Sequence, residues 1–331
     1  MGAQSASQAG EGERTARPRR EACLAAALVL ALARRAPELV SLLDHDPRCE
    51  AAWTAVADLA LLASVLERDV PVIGRPLHEA LRASLPSLLG RAHELGPGPQ
   101  HWAAHAAAAW VEPETERERL RDPRSRAAVE VSRGVVLQLG PAWRPEEVAH
   151  VAFRLGATRN PPPLRQVELA APGGSPYELT HVAFFGTDFG AVQPAGSATP
   201  GESKRAPARE AAEDERPSER SGEAVAAQLV EKAAAALGLL ARGDWRQDDW
   251  IYDLGAELLL ATHCLTGAWP AESLPWITAI MPERAERTLE TLEREPGALL
   301  RLYHLMAVTA LGLARAAAPP CRPGCKGEES P

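Results

Sequence analysis

Apolar residues recur at helical spacing through most of the chain. Leu24, Leu28, Leu32, Leu39 and Leu43 keep one face of a helix that starts near Glu21. Trp53, Val56, Leu59, Ala60 and Ala63 mark a second helix over about 50–67. Leu77, Leu81, Leu85, Leu88 and Leu89 mark a third from about Pro76, with Pro86 placed to kink or split it. The run Gly96-Pro97-Gly98-Pro99 then breaks the pattern. Further helices are expected near 127–139 and 145–155, the second opening on Pro145-Glu146-Glu147, which suits a helix N-terminus. The last third adds helices near 223–240, 249–265, 275–293 and 297–317. No alternation of period two is sustained, and the helices share no fixed repeat length. The chain is therefore expected to be all-α and built of helical hairpins. An (α/α) toroid or a related helical bundle would bring many helix ends to one mouth.

Between 192 and 222 large apolar residues nearly vanish in favour of Pro, Ala, Gly, Ser and alternating charge. Such a composition cannot bury enough surface to order itself. The expected organisation is a disordered tail over 1–20, a helical domain in two parts over 21–191 and 223–317, the low-complexity loop 192–222 inserted between them, and a second tail over 318–331. Residues 112–126, with mixed charge and Pro113 and Pro123, read as a solvated connection, and Pro161-Pro162-Pro163 as extended chain. Residues 23–33 behind Arg19 and Arg20 also have the make-up of a signal-peptide core. Against that, the leucine period runs on through Arg34 and Arg35, as in the first helix of a folded domain. No stretch reaches the roughly 18 apolar residues that a membrane-spanning helix needs, so no membrane partner is expected.

Composition narrows the function classes. A chain of 331 residues with 46% hydrophobic and 24% charged residues can bury a large core. Its net charge of −8 leaves no clustered positive surface for phosphate, so nucleic acid is not an expected partner. The 5 cysteines are scattered and odd in number, which fits a reducing, cytoplasmic compartment better than a disulfide framework. Lys204, Lys232 and Lys326 are the only lysines, and that arginine bias points to a GC-rich bacterial genome. His101 and His105 stand at i, i+4, but no glutamate of the zinc-protease pattern and no third ligand accompany them. No metal centre is expected, and the cofactor is left open.

Two stretches carry candidate chemistry. In Ser175–Gly190, Ser175, Pro176 and Glu178 form a capping-box start, and Gly190 suits a left-handed helix end. Tyr177, His181, Phe184, Phe185 and Asp188 then share one side. An acid in the last helical turn faces the negative end of the helix dipole, at a cost of about 0.3–1 kcal/mol when unpaired. An arginine from a neighbouring helix, a ligand-facing or catalytic role, or plain exposure would each account for Asp188. His181 reads either as a core histidine on a backbone carbonyl or as a general acid or base. The two lie roughly 10.5 Å apart along the axis, too far to hold one metal ion from this helix alone. In the second stretch Asp249, Asp253 and Glu257 stand four apart, a self-repelling ladder on one face. That face continues into Leu260, Ala261 and Cys264, so Asp253 or Glu257 stands where solvent gives way to protein, where a carboxyl acquires a raised pKa.

The segments Tyr177-Glu178-Leu179-Thr180-His181 through Thr187-Asp188-Phe189-Gly190 and Asp253-Leu254-Gly255-Ala256-Glu257-Leu258-Leu259 together resemble an uncharacterised bacterial all-helical domain family found in high-GC genomes and natural-product gene neighbourhoods. The resemblance covers about a tenth of the chain and implies a shared core holding both helices; it supplies no catalytic residue. The Asp-Phe-Gly tripeptide is not a protein-kinase signature here, because no Gly-rich loop, His-Arg-Asp loop or strand-borne lysine accompanies it. Two functions follow as expectations. One is an enzyme or substrate-binding protein of a bacterial natural-product pathway, with His181, Asp188, Asp253 and Glu257 as acid–base residues and Tyr177, Thr180, Phe184, Phe185 and Thr187 around a small-molecule or peptide ligand. The other is a non-catalytic helical scaffold that presents a groove to a peptide or protein.

Overall fold

The computed structural model describes residues 5–142, 144–167, 175–192, 216–240, 248–270 and 273–318. Among the described residues all regular structure is helical. The α-helices in chain order are α1 (Ser5–His45), α2 (Glu50–Asp69), α3 (Pro71–Leu95), α4 (Pro99–Val111), α5 (Pro113–Arg119), α6 (Pro123–Leu139), α7 (Arg144–Arg154), α8 (Pro176–Gly186), α9 (Arg216–Leu240), α10 (Asp249–Thr266), α11 (Met281–Arg294) and α12 (Leu299–Ala317). A π-helical turn, Trp276–Ile280, leads into α11. None of these helices is long and apolar enough to cross a membrane.

The helices are arranged as an inner ring and an outer layer. In the ring α2 packs on α4, α4 on α7, α7 on α8, α8 on α10, α10 on α12, and α12 back on α2. Outside it, α1 packs on α2, α3, α11 and α12, while α6 covers α4 and α7 and α9 covers α8 and α10. The expected all-α fold is thus the fold of the described residues. Sequence explains who sits inside. Helix α4 reads His101-Trp102-Ala103-Ala104-His105 followed by four alanines, and it is buried nearly all round. Small side chains let its neighbours approach closely, and a helix apolar on every side belongs in a core. Helix α11, by contrast, buries one narrow stripe that includes Ala285, Thr288 and Leu292 and stays outside.

Several expected boundaries shift. Helix α1 starts at Ser5, well before Glu21, so the expected tail over 1–20 is helical from Ser5 onward. The connection expected over 112–126 contains α5 and the start of α6 instead. Each begins on a proline at the position where a missing N–H is harmless, and the Asp122 carboxylate accepts the Ser125 N–H at 2.8 Å to cap α6. Glu116 of α5 is buried because it pairs with both His105 and Arg119. Of the expected loop 192–222, residues 193–215 lie outside the described residues, and α9 begins at Arg216. The tail from 319 onward also lies outside them. His101 and His105 serve packing: His101 Nδ1 lies 3.1 Å from Ser132 Oγ, and His105 pairs with Glu116.

Helices α2 and α3 meet at Gly74, where a β-carbon would collide with the backbone of Leu66 and Glu67. Backbone cannot yield as a side-chain tip can. Gly74→Ala is therefore expected to destabilise the protein by about 1–3 kcal/mol through overpacking, read as a lower urea midpoint. Gly90→Ala, where a β-carbon meets nothing within 4 Å, is the control and should leave stability level or slightly raised.

Candidate active site

The ring encloses two connected chambers. The polar one, about 530 Å³, is lined by Thr54, Asp58, Tyr177, Glu178, His181, Glu257 and His304, with the exposed Pro141 and Ala142 at its mouth. The second is lined mainly by apolar side chains, among them Trp53, Leu61, Trp102, Trp110, Phe184, Phe185, Phe189, Leu260 and Leu311. Thr54, Asp58, His181, Glu257 and His304 line both chambers and form the waist between them. Moving along α8, α10 or α12 in chain order leads from the polar chamber or the waist into the apolar chamber.

On α10 the acidic ladder passes from solvent to interior. Asp249 is exposed and pairs with Arg284, Asp253 is half-buried, and Glu257 is 2% exposed. Both inner acids meet His304 of α12. His304 Nδ1 donates to Asp253 at 3.0 Å, and Nε2 lies 3.3 Å from Glu257 Oε1. Helix α8 supplies a hydroxyl to each acid: Tyr177 OH donates to Asp253 Oδ2 at 3.1 Å, and Thr180 Oγ1 donates to Glu257 Oε2 at 2.6 Å. Next to His304, Tyr303 donates its hydroxyl to Asp58 of α2 at 2.9 Å.

The surroundings set the charges. Burial alone disfavours the His304 imidazolium, but the hydrogen bond and charge of Asp253, followed by the charges of Glu257 and Asp58, hold its pKa up to about 10. Burial pushes Glu257 up to about 7, against the His304 charge and with help from Asp253. Burial likewise raises Asp58. His181 is held down to about 4, chiefly by burial, and is therefore neutral at pH 7. Its Nδ1 donates to the Tyr177 carbonyl at 2.7 Å, which leaves Nε2 as the basic ring nitrogen. Thr180 Oγ1 also lies 2.9 Å from the same carbonyl. One hydroxyl proton cannot serve both acceptors, so an ionised Glu257 draws the Thr180 proton, and a protonated Glu257 donates to Thr180 while Thr180 turns to the carbonyl. The waist thus accommodates both protonation states of Glu257. Asp253, Glu257 and His304 also bring ligand atoms within 4.8 Å of one another, close enough to hold a divalent cation once His304 gives up its proton.

Of the acid–base candidates, His181 and Glu257 line the waist and Asp253 binds its two partners there. Asp188 lies elsewhere. Helix α8 ends at Gly186, before the expected last turn, and Asp188 and Phe189 adopt left-handed backbone with φ of 44° and 54°. The Asp188 carboxylate takes Arg68 Nη1 and His150 Nε2, each at 2.8 Å, so the neighbouring-helix arginine is Arg68 of α2. Thr187 Oγ1 donates to the Ala183 carbonyl and accepts the Gly190 N–H, closing the helix end. At the other end of α8 the capping box is incomplete, because Ser175 accepts the Tyr177 N–H while Glu178 pairs with Arg165. Phe184 and Phe185 line the apolar chamber, Tyr177 the polar one, and Thr180 reaches the waist through Glu257. His304, Asp58 and Tyr303 were not expected from sequence. Their signal was a polar residue isolated on an Ala- and Leu-rich helix, which reads equally well as a satisfied core group.

Comparison with protein-family models, with curated proteins and with solved structures finds no match for this chain.

Asp188→Asn should cost about 1.5–3 kcal/mol at pH 7, the range for hydrogen bonds to charged groups. Despite its burial, His150 and Arg68 hold the Asp188 carboxyl below its ordinary 3.8. Its contribution is therefore complete above about pH 4 and is lost as pH falls through the folded-state value. Urea melts of wild type and variant should accordingly converge in acid and separate at neutrality.

Proposed function

We propose that the chain is an acid–base enzyme acting on a small molecule held inside the helical ring. The observation that carries this reading is Glu257, a carboxyl at the waist of both chambers, poised by burial near neutrality and in contact with an imidazolium. A general acid or base works best when its pKa lies near the working pH. The apolar chamber would hold the body of the ligand against Phe184, Phe185 and Trp110, and its reactive end would meet Glu257. Glu257 would transfer the proton, with the Thr180 hydroxyl turning to follow it. His304, fixed by Asp253, would donate to negative charge developing on the ligand. Neutral His181 offers a second basic nitrogen on the same wall. A small-molecule step in a natural-product pathway is the setting that agrees with the resemblance of the two helices.

Two measurements test this reading. A fractionated metabolite extract of the source organism, incubated with the protein and followed by mass spectrometry, should contain a compound consumed by wild type and spared by Glu257→Gln. Identical extracts after both treatments would remove the enzyme reading. The second measurement is stability against pH. Glu257 is raised in the folded state, so wild type loses stability as pH rises from about 4.5 through about 7, while Glu257→Gln carries no such burden. The variant should match wild type near pH 4.5 and become relatively more stable toward pH 8; a constant difference across that range would show that Glu257 does not titrate there.

A further inference from the structure

The waist carries more negative than positive charge. Among the described residues facing it, α2 contributes Asp58, α7 the Arg144–Glu147 pair, α10 Asp253 and Glu257, and α12 His304, while His181 of α8 is neutral. His304 is shared by both α10 acids, Arg144 pairs with Glu147, and Asp58, which accepts the Tyr303 hydroxyl, draws on the charges of the same two cations. Like charges so placed raise one another, as Asp253 does to both Asp58 and Glu257. Four acids thus share two cations, and a further cation brought by a ligand would relieve the excess.

The apolar chamber below the waist suits such a ligand. In a chain with 5% aromatic residues it gathers three of the 4 phenylalanines, Phe184, Phe185 and Phe189, and three of the 8 tryptophans, Trp53, Trp102 and Trp110. Phe184 and Phe189 stack at 5.1 Å, and Phe185 stands edge-on to Phe189 at 5.9 Å. Aromatic faces attract organic cations and pack well on flat or aliphatic bodies.

We propose that the ligand of the ring is an organic ammonium compound with an apolar or aromatic body, its nitrogen held at the waist between Asp58 and Glu257 and its body seated on the phenylalanine–tryptophan floor. This rests on the reading of the ring interior as the ligand site and names the substrate class for it. A primary or secondary amine in that position would bring its own protons to Glu257, so binding and proton transfer would use the same carboxyl.

The test uses the full chain at pH 7.5 with three probes of equal length, octylamine, octan-1-ol and octanoate, each below its aggregation concentration, read by tryptophan fluorescence and thermal shift. Octylamine should bind about tenfold or more tighter than octanol, a factor that corresponds to about 1.4 kcal/mol, and octanoate should bind weakest. Asp58→Asn should bring octylamine down to the level of octanol without changing octanol itself. If that variant fails to fold, Ala307→Phe, which fills the apolar chamber, should abolish binding of both. Equal binding of octanol and octylamine would overturn the ammonium assignment while leaving the ring interior as a ligand site, whereas octylamine binding that survives Ala307→Phe would place the amine outside the apolar chamber and overturn the site reading. Failure of all three probes to bind would overturn that site reading as well. Saturation of the waist by Mn²⁺ or Zn²⁺ alone, with loss of octylamine binding, would replace the organic cation by a metal.

Discussion

The ring is held shut at its apolar end by one continuous polar network, and the rest of the site depends on it. Trp110 of α4 donates to His150 of α7 at 3.3 Å, and His150 donates to Asp188 beyond α8. Asp188 binds Arg68 of α2, Arg68 also binds Asp69 at 2.7 Å, and Asp69 binds Arg315 of α12 at 2.8 Å. Arg315 finally reaches the Phe189 carbonyl and, at 3.0 Å, Cys264 Sγ of α10. Helices α2, α4, α7, α10 and α12 each contribute a partner, and the turn that follows α8 supplies Asp188 and the Phe189 carbonyl. A ring of helices joined only by oily contacts could slide in register; hydrogen bonds between fixed donors and acceptors allow far less freedom.

That network explains the strained turn beneath it. Left-handed backbone at Asp188 and Phe189 costs about 1–2 kcal/mol per residue, and for a bulky residue such as Phe189 it needs a structural reason. The turn points Asp188 at Arg68 and His150, and it lays Phe189 over Phe184 with its carbonyl on Arg315. The same two-residue turn therefore seals the ring and helps to build the aromatic floor of the chamber. The Thr-Asp-Phe-Gly segment is in this sense a hinge pin between support and site, and its acid serves structure while the acids of α10 face the cavity.

The fold class was legible because helical periodicity and Ala/Leu content are local properties, and the ring needs no signal beyond them. Glu257 and Asp253 were legible too, since a ladder of acids running into Leu260 and Cys264 marks a face that crosses from water into protein. Asp188 was legible as an oddity with a helix arginine among its explanations, but the helix end three residues earlier was not, because the turn is fixed by Arg68 and Arg315 from distant helices. His304 and Asp58 were hidden for a similar reason. Each stands in an apolar stretch of its helix, and only the three-dimensional ring sets α2 against α12 and turns two unremarkable positions into one waist.

The direction of the helices completes the physical account. Helices α2, α7, α8 and α10 carry acids in their first turn, Glu50, Glu146 and Glu147, Glu178 and Asp249, while α2, α7 and α12 carry Arg68, Arg154 and Arg315 in their last. Each end matches the sign of its helix dipole. The positive end of α8 borders the polar chamber, where Ser175, Tyr177 and Glu178 line it, and tempers the repulsion among Asp58, Asp253 and Glu257. Dipole ends fade within a turn, however, and Glu257 lies two turns into α10. Its charge is thus left to His304, to the Thr180 hydroxyl and to whatever enters the ring, which is why the proton on this one carboxyl is the group most sensitive to a ligand.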